Sequence, residues 1–413
     1  MVTPDKKRRK KLAEPEPTPT PAPEPVPRLL RVRPGNKKKN KGASPEKQPP
    51  VYMVLAHGVE EEPTTHSVIE VAACAAARRL LNTGSGRGRG RGMSFAAVGT
   101  RTVGVGVELT TVYDPETSTE RGGPRLIFPK VNPVLISISD DGGGVVGGGT
   151  LYALSRTPAV VRPLDFEPWF FVLDDLSHTV WRELPSPPLF PCRLNPLEFL
   201  DPPKLRVAAY ALVGSHILLS VSVQQLQPQQ QQEDKGTCAF DMDTEQWEMV
   251  HDSNLPFDGQ ALPLGSDDDH RFVAVASAAA DVTVYRMVVG ISAVTGKKEL
   301  TIVALRVVVA SNSKCRIVPG NLLCAMGKGS FASFEFRSIA AASMGKVGRA
   351  RIVHRTYSLV DDGEDDWVVM VKKQDRQVYK LRDPSFLGGC SFFHEKIVYA
   401  ATRRKINILE FAK

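Results

Sequence analysis

Residues able to do chemistry matter only at a working spacing, and this sequence offers few such places. MGKGS at 326 to 330 contains Gly-Lys-Gly-Ser, but a loop that cradles phosphate needs a Gly five residues before its Gly-Lys and a helix after it. Leu322 stands at that position and the strand-like FASFEF follows, so the segment reads as a turn. GSGRGRGRG at 84 to 92 has dinucleotide-like glycine spacings yet leads into extended FAAVG, where no helix N-terminus receives a pyrophosphate. The eight histidines are scattered without metal spacing, and SDDDH at 266 to 270 reads as an acidic loop tip rather than a cation site. Cys390 and His394 would sit on one face of a strand but roughly 13 Å apart at about 3.3 Å per residue, too far for a thiolate pair. No catalytic residue, cofactor or metal ligand emerges, and the expectation is a protein without enzymatic activity.

One cluster with a physical reading stands outside any fold. Lys6, Lys7, Arg8, Arg9, Lys10 and Lys11 form an uninterrupted basic run of the kind an acidic import receptor reads. The run lies in residues 1 to 50, which hold 12 prolines and 14 Lys+Arg against 5 Asp+Glu. A segment with so little to bury cannot offset its ordering entropy, and its prolines favour extended polyproline II, so a disordered tail is expected. Its +9, set against +8 for the whole chain, leaves −1 for everything after it. The basic balance therefore belongs to the tail and gives no argument that the folded part binds nucleic acid. The expected location is nuclear or cytoplasmic, with the basic run favouring the nucleus; a solvating arm is the alternative.

The six cysteines, at 74, 192, 238, 315, 324 and 390, include no CxxC pair, which suits reduced, mostly buried thiols. No apolar run reaches the roughly 18 to 20 residues that span a bilayer. The longest candidate, 302 to 311, is short and holds Arg306, so no membrane association is expected.

The elements that position the remaining side chains show themselves through a recurring figure. In CAFDMDTEQWEM (238 to 249) an apolar run ends at Asp241, turns through Thr244 and resumes at Trp247. TVYDPETST carries Asp114 and Thr117, and FVLDDLSHTVWRELPSPP carries Asp175 six residues before Trp181. Period-2 alternation, turns every 8 to 15 residues and recurrence at about 60 residues point to repeated small antiparallel sheets. A β-propeller stacks such sheets around an axis and leaves only short edges. Asp and Thr then close the hairpin between a blade's third and fourth strands by bonding the turn backbone. Trp fills space against the next blade. These seven residues read as structural. The 363 residues after the tail, less inserted low-complexity stretches at 82 to 93, 140 to 149 and 224 to 236, hold six or seven units of roughly 50 residues. Six blades are expected, with Val51 to Leu55 pairing with Ile406 to Phe411 to close the ring.

The figure of apolar run, Asp, Thr and Trp followed by a proline stretch resembles the kelch repeat. FAAVGTRTVGV, TVYDPETST, GGPRL, LYALSR and VLDDL…WRELPSPP together resemble kelch-like and F-box-associated-like plant proteins expanded in grasses, over about 51 to 413. Two departures stand out. Gly122-Gly123, Gly143-Gly144 and Gly388-Gly389 are out of register with the usual kelch Gly-Gly pair, and residues 1 to 50 do not form an F-box. The resemblance implies a monomeric, non-enzymatic scaffold that binds a protein partner through its propeller loops, and it supplies no catalytic residues. Two alternatives stay open. One is an RNA- or chromatin-associated protein gripping through the tail and Arg87, Arg89 and Arg91; the other is a propeller enzyme whose site converges from separate blades.

Overall fold

The computed structural model describes residues 51–57, 65–71, 78–83, 92–107, 109–128, 130–138, 149–157, 160–162, 165–177, 180–191, 205–223, 234–265, 270–309, 317–318, 320, 322–339, 349–361, 368–381 and 396–402. These residues are all-β: they form 26 strands and no helix. Among the described residues no helix is long and apolar enough to cross a membrane.

Apart from the short pair β10 (Val160–Arg162) and β11 (Asp165–Phe166), the strands fall into four-stranded antiparallel units. Unit I joins the two ends of the described chain: β26 (Lys396–Thr402) pairs with β1 (Val51–His57), followed by β2 (Thr65–Val71) and β3 (Arg78–Thr83). Unit II is β4 (Ser94–Val98), β5 (Arg101–Val105), β6 (Thr110–Asp114) and β7 (Thr119–Gly123). Unit III is β8 (Val134–Ile138), β9 (Thr150–Leu154), β12 (Phe170–Leu173) and β13 (Arg182–Leu184). Unit IV is β14 (Leu205–Val213), β15 (His216–Val223), β16 (Thr237–Asp241) and β17 (Gln246–His251). Unit V is β18 (Phe257–Pro263), β19 (Arg271–Ala276), β20 (Val282–Ile291) and β21 (Lys298–Val309). Unit VI is β22 (Leu322–Gly327), β23 (Ser330–Ile339), β24 (Arg349–Asp361) and β25 (Val368–Leu381). Parallel pairing of β14 with β18 and of β21 with β25 links units IV to VI into one twelve-stranded sheet.

Period-2 alternation explains why the units stack rather than lie open. In unit III, Leu135, Leu151, Ala153, Phe171 and Leu173 pack with Val98, Val103 and Val112 of unit II. Their strand neighbours Ile136, Tyr152, Leu154, Phe170 and Val172 point the other way, into a cluster with Ile217, Leu219 and Phe240 of unit IV. Each sheet is thus apolar on both faces and needs a neighbour on each side. Further clusters join I to II through Val54, Val68, Phe95 and Tyr113, IV to V through Leu218, Ala239, Phe272 and Tyr285, and V to VI through Val273, Val284, Phe331 and Tyr357. Unit VI meets unit I where β22 and β23 lie against β26. Gly104 on β5 is required by this close packing, since a Cβ there would come within 2.6 Å of the Phe95 ring.

The parallel pairs give units IV, V and VI a common orientation, and their connections divide by end. At one end lie 214–215, 242–245, 264–270, 292–297, 328–329 and 362–367, none longer than 7 residues. At the other lie 224–236, 252–256, 277–281, 310–321 and 340–348, of 5 to 13 residues.

Several sequence expectations need correction. The strand that pairs with β1 is Lys396–Thr402, not Ile406 to Phe411, which lies outside the described residues. VVMVKKQDRQVYKL forms one long strand, β25, and its partner β24 escapes a reading by periodicity because the charges in RARIVHRTYSLVD mask its alternation. β2 and β3 also went unread, and the stretch at 82 to 93 begins inside β3. Most of the three inserted stretches, the tail with its basic run, and Cys390 and His394 lie outside the described residues. MGKGS is the tight turn from β22 to β23, with Lys328 and Gly329 at φ of 51° and 67°.

Candidate functional site

The seven figure residues gather at the turns between third and fourth strands. Asp114 ends β6 and its Oδ1 accepts the Glu116 N–H at 2.9 Å. Asp175 follows β12 and accepts the Ser177 N–H at 2.9 Å. Asp241 ends β16 and accepts the N–H groups of Asp243 at 2.9 Å and Thr244 at 3.2 Å. These bonds supply turn donors with an acceptor that the ladder cannot reach. The threonines contribute differently: Thr117 bonds the Thr119 hydroxyl at 2.7 Å, whereas Thr244 takes part through its main chain. Ser118 and Glu245, each four residues after its Asp, turn the chain with φ of 54° and 55°.

The tryptophans join one unit to another, and toward the preceding unit rather than the next. Trp181 is 2% exposed and its Nε1 donates to the Pro124 carbonyl at 2.9 Å, just past the end of β7 in unit II. Trp247 of unit IV makes the same bond, at 2.9 Å, to the Pro185 carbonyl just past β13 in unit III, and packs on Phe170 and Phe240 at 5.6 and 5.1 Å. The direction follows from where each indole sits: it begins an outer strand, and the preceding unit ends beside it on a proline whose carbonyl has no ladder partner to accept from.

The structure also contains a copy of the figure that the sequence reading missed. Ser292, Thr295, Gly296 and Lys298 in the β20 to β21 turn repeat the positions of Asp241, Thr244, Glu245 and Trp247. Ser292 Oγ accepts the Thr295 N–H at 3.4 Å, and Gly296 takes the left-handed position at φ 66°. The clue was Ser-x-x-Thr-Gly, with Ser in place of Asp. At the Trp position, Lys298 reaches back to unit IV and its Nζ donates to Asp241 Oδ2 at 2.5 Å. The Lys298 ammonium, joined by the turn N–H groups, holds the Asp241 carboxyl well below the usual carboxylate range. His216 Nε2 lies 3.9 Å from the same oxygen, and burial followed by the Lys298 charge lowers its proton affinity. Arg182 bridges units III and IV through a two-pronged pair with Glu245 at 2.9 and 2.7 Å.

Two buried bases were likewise not read from the sequence. Lys130 donates to the Pro168 carbonyl at 2.7 Å and lies 5.0 Å over the Phe171 ring. Burial brings its pKa down to about 8 against the opposing pull of Glu167, whose Oε2 is 3.9 Å away. His354 on β24 is the second. Both bases sit singly, and among the described residues no three His, Cys, Asp or Glu side chains converge as a metal-binding group. The arrangement holds neighbouring sheets together at their outer strands.

A family described as "Protein of unknown function (DUF1668)" matches residues 48–379. The chain belongs to this family. No curated protein matches it. Among solved structures it is similar to PorZ, a surface component of the type-IX secretion system of Porphyromonas gingivalis, at 10% identity with a TM-score of 0.20. That similarity covers 79% of this chain, which spans 46% of the PorZ chain, and is too remote to carry a function across.

Proposed function

We propose that this chain is a non-enzymatic, protein-binding scaffold built as a six-bladed, kelch-like β-propeller. Support for the propeller comes from stacking: consecutive units share apolar clusters, and first strands neighbour one another as β26 with β4, β4 with β8, β14 with β18, β18 with β22 and β22 with β26. A blade made from both chain ends ties such a ring shut. The observation that carries the binding role is that the three longest connections of units IV to VI, 224–236, 310–321 and 340–348, all join strands at the same end. Loops on a rigid scaffold can vary in shape without disturbing the core, and binding surfaces are commonly built there. The partner therefore docks on the end bearing 252–256, 277–281, 310–321 and 340–348.

The test is co-purification with the full chain. Replacing 311–316 and 341–347 with short Gly-Ser links should abolish capture of a stoichiometric protein partner while leaving the melting temperature unchanged; substituting Asp243 and Lys297, on the opposite end, should not. No stoichiometric partner, or one indifferent to both loops, overturns the reading, and capture abolished by ribonuclease favours RNA instead.

On the same reading Lys6 to Lys11 serve as a signal for an import receptor. At 45.1 kDa the chain is near the size where passive nuclear entry slows. A fluorescent fusion enlarged well beyond passive entry should accumulate in nuclei, and changing all six basic residues to Ala should disperse it. An intact fusion that stays cytoplasmic, or a substituted one that stays nuclear, makes the tail a solvating arm.

A further inference from the structure

His354 on β24 belongs to the face of unit VI that is turned away from unit V. It is 4% exposed, and neither ring nitrogen has a hydrogen-bond partner. Its ring is stacked 4.6 Å from Phe334 at 12° and 6.3 Å from Tyr379 at 26°. Register places Phe334, His354 and Gln377 side by side on unit VI, with Ile352 and Tyr379 as the next rank. This is the face opposite Phe331, Tyr357 and Val369, which pack on unit V. The neighbour on the His354 side is therefore unit I, where β22 and β23 meet β26. On unit I, Val51, Met53 and Val71 are buried, and alternation sets them opposite Val54 and Val68, which face unit II.

The sheet register assigns the charged and titratable groups around this boundary to one face or the other. On the His354 face of unit VI register sets Tyr379, Asp375, Lys373 and Cys324; Glu335, Arg355 and Arg376 occupy the opposite face. On unit I register sets Tyr52, His66 and Glu70 on the face of Val54 and Val68, toward unit II, and His57 and Arg79 on the face of Met53 and Val71, toward unit VI. A neutral imidazole left unpartnered in such a place already costs stability. A second proton would add a charge to an apolar contact between two sheets.

We propose that His354 is an acid-operated release for the boundary between units VI and I, so that protonation parts unit VI from unit I while the contacts among units II to V persist. Burial, the sole cause at work, lowers the pKa from 6.5 to about 4, which agrees with this placement. Because the proton affinity is lower folded than open, the open form takes up the proton first as pH falls. Closure is therefore complete above about pH 6.5, weakens down to about pH 4, and changes no further through this group below that. Each pH unit in that window multiplies the opening constant by up to about tenfold, or a few hundred-fold across it. The inference rests on the packing of units VI and I and is independent of any partner.

Hydrogen exchange of the full chain between pH 7 and 4, corrected for intrinsic rates, tests it. The opening constant of amides in β1 and β24 should rise steeply while that of β9 and β15 stays nearly constant. In His354→Phe, which keeps an aromatic ring in the stack, the rise should vanish. The imidazole resonance of the unsubstituted protein gives a second readout that does not depend on the variant folding: His354 should titrate well below 6.5. A titration near 6.5, an equal pH response in His354→Phe, or exchange that rises uniformly over all units overturns the proposal.

Discussion

Units II to V and the boundary of units VI and I solve the same problem with different chemistry. Between II and III, III and IV, and IV and V, a side chain at the start of an outer strand reaches back and bonds the unit before it: Trp181 to Pro124, Trp247 to Pro185 and Lys298 to Asp241. At the VI to I boundary the described residues instead place a stacked histidine without a polar partner. Directional bonds fix the spacing of neighbouring sheets, whereas apolar contact alone is permissive about how they separate. The first region is built to stay assembled and the second to be the place where assembly begins to fail. The two indole latches also differ from each other, since Trp181 is buried and Trp247 is partly exposed.

Removing the better-buried latch should have the largest effect. Trp181→Ala should destabilise the fold by about 3 to 5 kcal/mol, the range for an aromatic side chain truncated in a core. Trp247→Ala should cost less, about 2 to 3 kcal/mol, because part of the ring already meets solvent. Denaturant midpoints of the two variants measure both. Equal losses would show that the shared Nε1 bond, and not burial, sets the strength of the latch.

Much of this contrast was legible in the sequence for the first region and little of it for the second. Asp114, Asp175 and Asp241 stood out because a carboxylate that caps its own turn must sit at a fixed distance from the strand it ends. Trp stood out because it is rare. The copy at Ser292 and Lys298 escaped because a hydroxyl does the same turn work and a lysine can latch as an indole does, so chemistry was kept while residue identity was not. The direction of the Trp contact was not legible, since period and spacing do not say on which side a neighbouring sheet lies. Nor was β24, because charged residues within a strand blur its alternation, and for β1 only a partner near the far end of the sequence was legible, expected at Ile406 to Phe411 and found at Lys396–Thr402. His354 looked like any other scattered histidine; only the sheet register shows what surrounds it.

The ionic latch should give a smaller, pH-dependent effect. Asp241→Ala removes two turn bonds and the partner of Lys298, and should cost about 1 to 3 kcal/mol by the usual worth of hydrogen bonds to a charged group. The Asp241 carboxyl is held below its unfolded value, so its contribution is full above about pH 4 and is lost as pH falls below that. Urea titrations should therefore show the gap between Asp241→Ala and the unaltered chain narrowing below pH 4. Acid loss through His354 runs over a higher window, from about 6.5 to about 4, and is present in both proteins. A gap that already closes between pH 6.5 and 4 would mean that the ionic latch and the VI to I boundary are coupled, and the contrast between the two regions would fail.

The smallest effect should come from shortening a connection on which neither region depends. QQLQPQQQQE, residues 224–233, joins β15 to β16, and the described residues after it are already anchored: Thr237 donates to the Ser253 carbonyl at 2.8 Å and meets the Ser220 hydroxyl at 2.8 Å, while Ser220 Oγ accepts the Leu255 N–H at 2.9 Å. β15 and β16 keep their register through His216 to Ser220 and Thr237 to Asp241, outside the tract. The entropic cost of closing a loop grows only with the logarithm of its length, about 0.6 kcal/mol for each doubling. Replacing the tract with four residues should therefore move stability by less than about 1 kcal/mol, toward higher stability if the shorter loop closes without strain. Thermal melts beside Trp247→Ala make the comparison within one unit. A loss as large as that of the Trp variant would show that the tract packs on unit IV, and that the latches are not what holds this unit to its neighbours.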